Sequence, residues 1–291
     1  MSFYELSSTG GIAVGAAAGP LLWAAAGLWS FPAIAAGYLA AAALAAMFVG
    51  SGFVGSGRGP GARPARRGGR PAVAARRGWR LIFADRRLAA FLPAWVAVNA
   101  ILGTWVTAQI TFVLAGPRRV AGQRFVGAFA GHETGLSALL GGYVLVFAAC
   151  TVAWAFLVGR APTRLVLAAA VAGAGLASAA LIGLNHGGPF GLLGPLALVG
   201  MFLEAGFAPA ALTYLADTSA DFAADRGLVM GVYSVVLGLG YLAGNLLGGV
   251  FAQSTAFDGL AIQTIILAAV GLVSVATLPP GRSRPGSVPV P

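Results

Sequence analysis

The chain contains no lysine; all 18 of its basic side chains are arginine. Aspartate and glutamate together number eight, and charged residues make up only 9% of the 291 positions. Soluble domains carry about 25% charged residues, so this composition argues against a water-soluble globule. Cysteine is nearly absent as well. Cys150 stands alone in an apolar run and has no partner for an internal disulfide. The first ten residues hold Glu5 and no positive charge, whereas a secretory signal opens with basic residues, so no cleavable signal is expected. No Ser-His-Asp, Cys-His or HExxH arrangement stands out, which speaks against an enzyme. No metal site and no cofactor are expected either.

What is present is hydrophobic: 58% of residues, with 44 glycines. Residues 6–57 carry no charged side chain, and one spanning helix takes about 20 apolar residues. That run is too long for one span, and the segment 27–32, "GLWSFP", breaks it with proline and aromatics suited to an interfacial turn. The apolar stretches predict spans at roughly 9–28, 32–53, 89–114, 136–158, 165–184, 190–215, 227–251 and 259–279. The expected fold is therefore all-α, a polytopic membrane helix bundle of about eight transmembrane helices arranged 2 + 6. Its parts are two helices in 1–53, a basic linker with an interfacial helix in 54–88, a six-helix bundle in 89–279 and a tail in 280–291.

Arginine placement orients this bundle. Fifteen arginines fall in the linker, around Arg160 and Arg164, at Arg226 and in the tail, against Arg118, Arg119 and Arg124 on the other side. Positive charge accumulates on the cytoplasmic side, so both termini are expected there. A lysine-free, Ala- and Gly-rich composition is that of a GC-rich, bacterial gene, which would make the membrane the bacterial inner (plasma) membrane. The linker "SGRGPGARPARRGGRPAVAARRGWR" cannot bury a core. It is similar to RNA-binding arginine-glycine segments, but basic loops beside spans commonly touch anionic lipid head groups, and no nucleic-acid partner is expected. The stretch 78–91, "GWRLIFADRRLAAF", interleaves aromatic, aliphatic and basic residues as an interfacial helix would.

Three local patterns carry a family resemblance. "GAAAGPLL" (15–22) looks like the Gly-Pro motif of the fifth helix in antiporter branches of the major facilitator superfamily, although Trp23 and Ala24 stand where its closing glycines would be. "GFAPAALTYLAD" (206–217) followed by "RGLVMGVYSVVLGLGYLAGNLLGGVF" (226–251) resembles that family's tenth and eleventh helices with their joining loop. "VGRAPTR" (158–164) is a weaker echo of its basic turn between the eighth and ninth. Two spans, a long basic loop and six spans resemble the latter two-thirds of such a transporter, which implies that the first four helices are missing. The resemblance implies alternating access and proton-coupled efflux of a small, amphiphilic solute. Two other readings stay open: a non-transporting membrane protein that needs another bundle as oligomer or partner subunit, and a nutrient uptake facilitator.

Individual side chains follow from cost. Ionisable groups inside a membrane are expensive and by default functional. Glu204 in "GMFLEAGFAPA" is the clearest, able to bind a proton or a cationic solute, or else to sit as a neutral acid bonded to a neighbouring helix. Phe207 and Ala211 continue its face at helical spacing as a cavity wall. Asn99, Trp105 and Gln109 lie in the third span, with Trp105 and Gln109 four residues apart on one face, and Tyr241 and Asn245 do likewise in the seventh. By the resemblance these helices line the solute path; each polar residue taken singly could equally be an interhelical hydrogen bond. Gly15, Gly19 and Pro20, and the series Gly240, Gly244 and Gly248, have the spacing of small-residue packing faces or of a hinge. Asp217, Asp221, Asp225 and Arg226 read as a cytoplasmic turn that gates through ion pairs with Arg160 or Arg164. His132 and Glu133 are expected to cap the fourth span, and His186 has no metal-ligand partner near it in sequence.

Overall fold

A helix that begins in a membrane must satisfy its first amides locally, and Asp85 does so here. Its carboxylate accepts from Arg87 N at 2.7 Å and Leu88 N at 3.2 Å, and helix α1 follows at Arg86–Trp105. The computed structural model describes residues 79–279 except 81, 107 and 220–225, together with scattered positions between 21 and 40. Gly15, Gly19, Pro20, Asp221, Asp225, most of the linker and first two spans, and the tail lie outside the described residues. At the expected interruption of the first apolar run there is a 3-10 turn, Gly27–Trp29, closed by Ser30 Oγ donating to Gly27 O at 2.7 Å.

After α1 come α2 (Ala108–Ala115), α3 (Glu133–Leu157), α4 (Thr163–Asn185), α5 (Phe190–Ala205), α6 (Phe207–Ser219), α7 (Arg226–Thr255) and α8 (Phe257–Ala276). Among the described residues there is no strand. Among the described residues six helical stretches are long and apolar enough to span a membrane: Arg86–Ala115, Glu133–Leu157, Thr163–Asn185, Phe190–Ser219, Gly231–Thr255 and Phe257–Ala276. Lipid offers the backbone no hydrogen bonds, so an all-helical answer is the one available to such segments. Two of the six are interrupted, α1/α2 at Val106 and α5/α6 at Gly206.

Packing places α1 against α7 and α8, and α4 against α5, α8 and α6. Helix association in lipid rests on close contact rather than on hydrophobic expulsion, and glycines provide it. Gly244 faces the Ala100 main chain, and a Cβ at Gly240 would lie 2.6 Å from Asn99 Cβ. Gly248 faces Gln263, Leu260 and Thr104. The Gly240, Gly244, Gly248 series is thus seated against α1 and α8. Helices α4 and α5 cross the same way, Gly173 against Gly200 O and Glu204 N. Among the described spans, those in α3 and α7 are the least covered, 22% buried against 50% for α4 and α8.

The loop 116–132 straps one end of the bundle. Gly127 N and Phe129 N donate back to Val113 O and Leu114 O of α2. Phe125 packs edge-on against Phe257 with ring centres 5.0 Å apart. Fully buried Asn185 holds the strap to the helix ends: its Oδ1 accepts from Phe125 N at 2.9 Å, and its Nδ2 donates to Asp258 Oδ1 at 2.8 Å and Gln123 Oε1 at 3.2 Å. His186 Nε2 meets the other Asp258 oxygen at 2.7 Å, so its partner is near in space and 72 residues away in sequence. Cutting this knot strands a buried amide and a carboxylate oxygen. Asn185→Ala is expected to lose about 2–3 kcal/mol, read as a lower melting temperature of the detergent-solubilised protein; an unchanged melting temperature contradicts the strap.

Candidate functional site

Both interruptions have local causes in the sequence and are completed by groups from other helices. At the first, Thr104 Oγ1 bonds back to Ala100 O at 2.9 Å, a habit of threonine that bends helices. Gln263 Nε2 of α8 donates to Thr104 Oγ1 at 3.0 Å and to Gly244 O at 3.1 Å. Trp105 Nε1 donates to Thr264 Oγ1 at 2.9 Å, and Gln109 Nε2 to Asn245 O of α7 at 3.0 Å. The expected common face of Trp105 and Gln109 does not exist, because α1 ends between them and they occupy different helices. They nevertheless serve one region, each reaching across to a neighbour.

At the second interruption, Gly206 N turns to Leu203 O at 3.0 Å instead of continuing the α-helical ladder, and Pro209 has no N–H to offer Ala205 O. Glu204 sits at the end of α5, 8% exposed, and its Oε1 has no hydrogen-bond partner. Glu204 and, from α7, Tyr241 both act electrostatically on Tyr143 of α3. Buried polar groups are ordinarily paired; an unpaired carboxyl oxygen here is an open valence for a proton, a water or a cationic group. Asn245 Oδ1 and Gln263 Oε1 are likewise buried without a partner.

Other expected residues are placed differently. Phe207, read as continuing the Glu204 face into a cavity wall, is 3% exposed and belongs to an aromatic nest, 6.2 Å from the Phe91 ring and 6.0 Å from Trp95. Ala211 is fully buried as well. Asn99 spends its amide on Trp95 O at 2.7 Å within its own helix and sits beneath Gly240. Arg164 donates to Val275 O at 3.2 Å and to Ala276 O, covering the last carbonyls of α8 as a cation at a helix C-terminus should. Arg160 and Asp217 are exposed, and Arg226 opens α7. His132 stands at the N-cap of α3 without a side-chain bond, and Glu133 occupies the first turn. Among the described residues no three His, Cys, Asp or Glu side chains gather as a metal would require.

Tyr143, Thr104, Gln263 and Thr264 are members of this region that the sequence reading passed over. Gln263 had a visible signal, an amide within an apolar run, the same one that singled out Asn99 and Gln109. Tyr143 had none, because a tyrosine in an apolar helix is ordinary and only its neighbours make it matter.

The two interruptions fall in the first and fourth of the six long helices among the described residues. Irregular backbone inside a membrane bundle is tolerated where it is buried in protein or lines a site, and interrupted helices are a pointer to a transport path. No curated protein and no solved structure matches the chain. A family model, Major Facilitator Superfamily, matches residues 125–290, more than half of the chain and five of the six long helices. A multi-pass helix bundle with that family's pattern over more than half of its length is a membrane transport protein, and the chain belongs to the major facilitator superfamily.

Proposed function

We propose that this protein exports a small, amphiphilic solute by alternating access, driven by proton entry, with Glu204 as the proton-carrying group. The supporting observation is the open Glu204 carboxyl oxygen, buried at the break between α5 and α6. Arginines stand only near the helix ends among the described residues of the bundle, so the charge that Glu204 needs must arrive from outside as a proton or a solute. Trp105, Gln109, Tyr241 and Asn245, around the other break, supply the aromatic and polar wall that an amphiphile requires. The arginine distribution supports cytoplasmic termini and a linker resting on anionic lipid, in the plasma membrane. The weakly covered faces of α3 and α7 are where another bundle would close the path.

The test is transport in vesicles reconstituted with the purified chain, using a panel of amphiphilic dyes and an internal pH reporter. Solute movement should run opposite to proton movement. Glu204→Gln keeps the shape but removes the exchangeable charge, and is expected to lower proton-driven transport at least about tenfold while sparing downhill exchange. Downhill uptake indifferent to the proton gradient would instead assign a facilitator, and wild-type coupling in Glu204→Gln would end the role given to that carboxyl.

A further inference from the structure

The geometry points to Trp154 as the positioning residue of the second break: its indole pins the α5–α6 junction and thereby sets where the Glu204 carboxyl stands. Regular α-helix would have Gly206 N donate to Phe202 O. Because Gly206 turns to Leu203 O instead, the Phe202 carbonyl is released inside an apolar bundle, where water cannot satisfy it. Trp154 Nε1, from α3, fills that place at 2.6 Å. The same indole lies against Gly206, so that a Cβ there would come within 2.7 Å of Cε2 and 2.8 Å of Cδ2. Its ring also packs on the Phe202 ring with centres 5.5 Å apart. One side chain therefore contacts the residues on both sides of Glu204.

The helix that carries it adds a second link. Helix α3 is among the least covered of the bundle, so the indole is a principal tie between it and the break. Tyr143 stands about three turns earlier on α3, on the same face, and interacts electrostatically with Glu204. A shift of α3 relative to α5 thus moves the hydrogen bond at the break and the Tyr143 side chain together. In an alternating-access cycle the Trp154 bond is the contact that must yield before the junction can change its angle. The inference rests on the Glu204 reading for its consequence, but the tie itself does not.

Two variants test it in the full chain held in lipid nanodiscs. Trp154→Phe keeps an aromatic ring and deletes the N–H; Gly206→Ala keeps the N–H and pushes the ring off the backbone. Amide hydrogen exchange is measured along the chain, and the Glu204 carboxyl band is followed against pH by infrared difference spectroscopy with Glu204→Gln as the blank. Both variants are expected to speed exchange around 203–210 by about tenfold or more while α4 and α8 stay protected, and both should displace the pH midpoint of the Glu204 band. Unchanged exchange at the break overturns the proposal, as does a uniform rise in every helix, which marks plain loss of stability. A local rise with an unmoved midpoint overturns the positioning of Glu204. Should the wild-type band not titrate at all, the proton role of Glu204 falls, and the exchange result alone decides whether Trp154 pins the break.

Discussion

Gly244→Leu is expected to abolish the folded bundle. A Cβ at Gly244 would run into the oxygen of Ala100, with the Ala100 carbonyl carbon 2.6 Å and its Cα 2.8 Å away. These are backbone atoms, so no side-chain rotation relieves the clash and the two helices must separate. Separation also breaks what the crossing holds: the Thr104 and Gln263 bonds to Gly244 O, and the reciprocal seat of Gly103, where a Cβ would lie 2.5 Å from Tyr241 O. Overpacking a well-filled core costs about 1–3 kcal/mol; a backbone collision across the α1–α7 crossing should exceed that range. Gly238→Ala is the control, since nothing lies within 4 Å of a Cβ there. Size-exclusion profiles and yields in mild detergent distinguish the two: Gly244→Leu should aggregate and Gly238→Ala should behave as wild type. A monodisperse Gly244→Leu protein would mean that this crossing is not as tight as described.

Phe91→Ala is the second large effect. Phe91 has no exposed surface and is ringed by Tyr214, Trp95, Tyr233 and Phe207, with ring centres at 4.9, 6.0, 6.1 and 6.2 Å. These rings come from α1, α6 and α7, so a single truncation loosens three helices. Two hydrogen bonds depend on the same nest, Trp95 Nε1 to Tyr233 O at 3.2 Å and Tyr214 OH to Arg87 O at 3.2 Å. Emptying a buried phenylalanine site typically costs about 3–5 kcal/mol through lost contacts and the cavity left behind, a large part of a domain's stability. Phe83→Ala, at a ring 64% exposed, should change stability by less than about 0.5 kcal/mol. Thermal melts of the two variants followed by intrinsic fluorescence would separate them; equal melting temperatures would contradict the nest.

Much of the architecture was legible residue by residue, because spanning a membrane is a local demand. Roughly 20 apolar residues in a row can only become a helix in lipid, and the long helices lie within a few residues of where the hydropathy put them. Glycine spacing on α7 announced a packing face, since residues four apart share a side of a helix. Glu204 stood out for an equally local reason, the cost of a carboxyl in an apolar run.

What the chain's own order could not express is where a helix stops being continuous and who answers for it. Residues 104–109 read as uninterrupted helix, yet α1 ends at Trp105, and the side chains that stabilise that end, Gln263 and Thr264, are some 159 positions away. Phe207, just past the turn at Gly206, lies in the aromatic core, and the Phe202 carbonyl before that turn is met by an indole 48 residues earlier. His186 found Asp258 by the same kind of remote closure. Sequence alone determined that this protein is a bundle of apolar helices with one costly carboxyl inside, because those properties depend on windows of about a helix length. The tertiary structure alone decided which carbonyls are left over at the breaks and which distant side chains complete them, because a hydrogen bond is specified by position in space and not by separation along the chain.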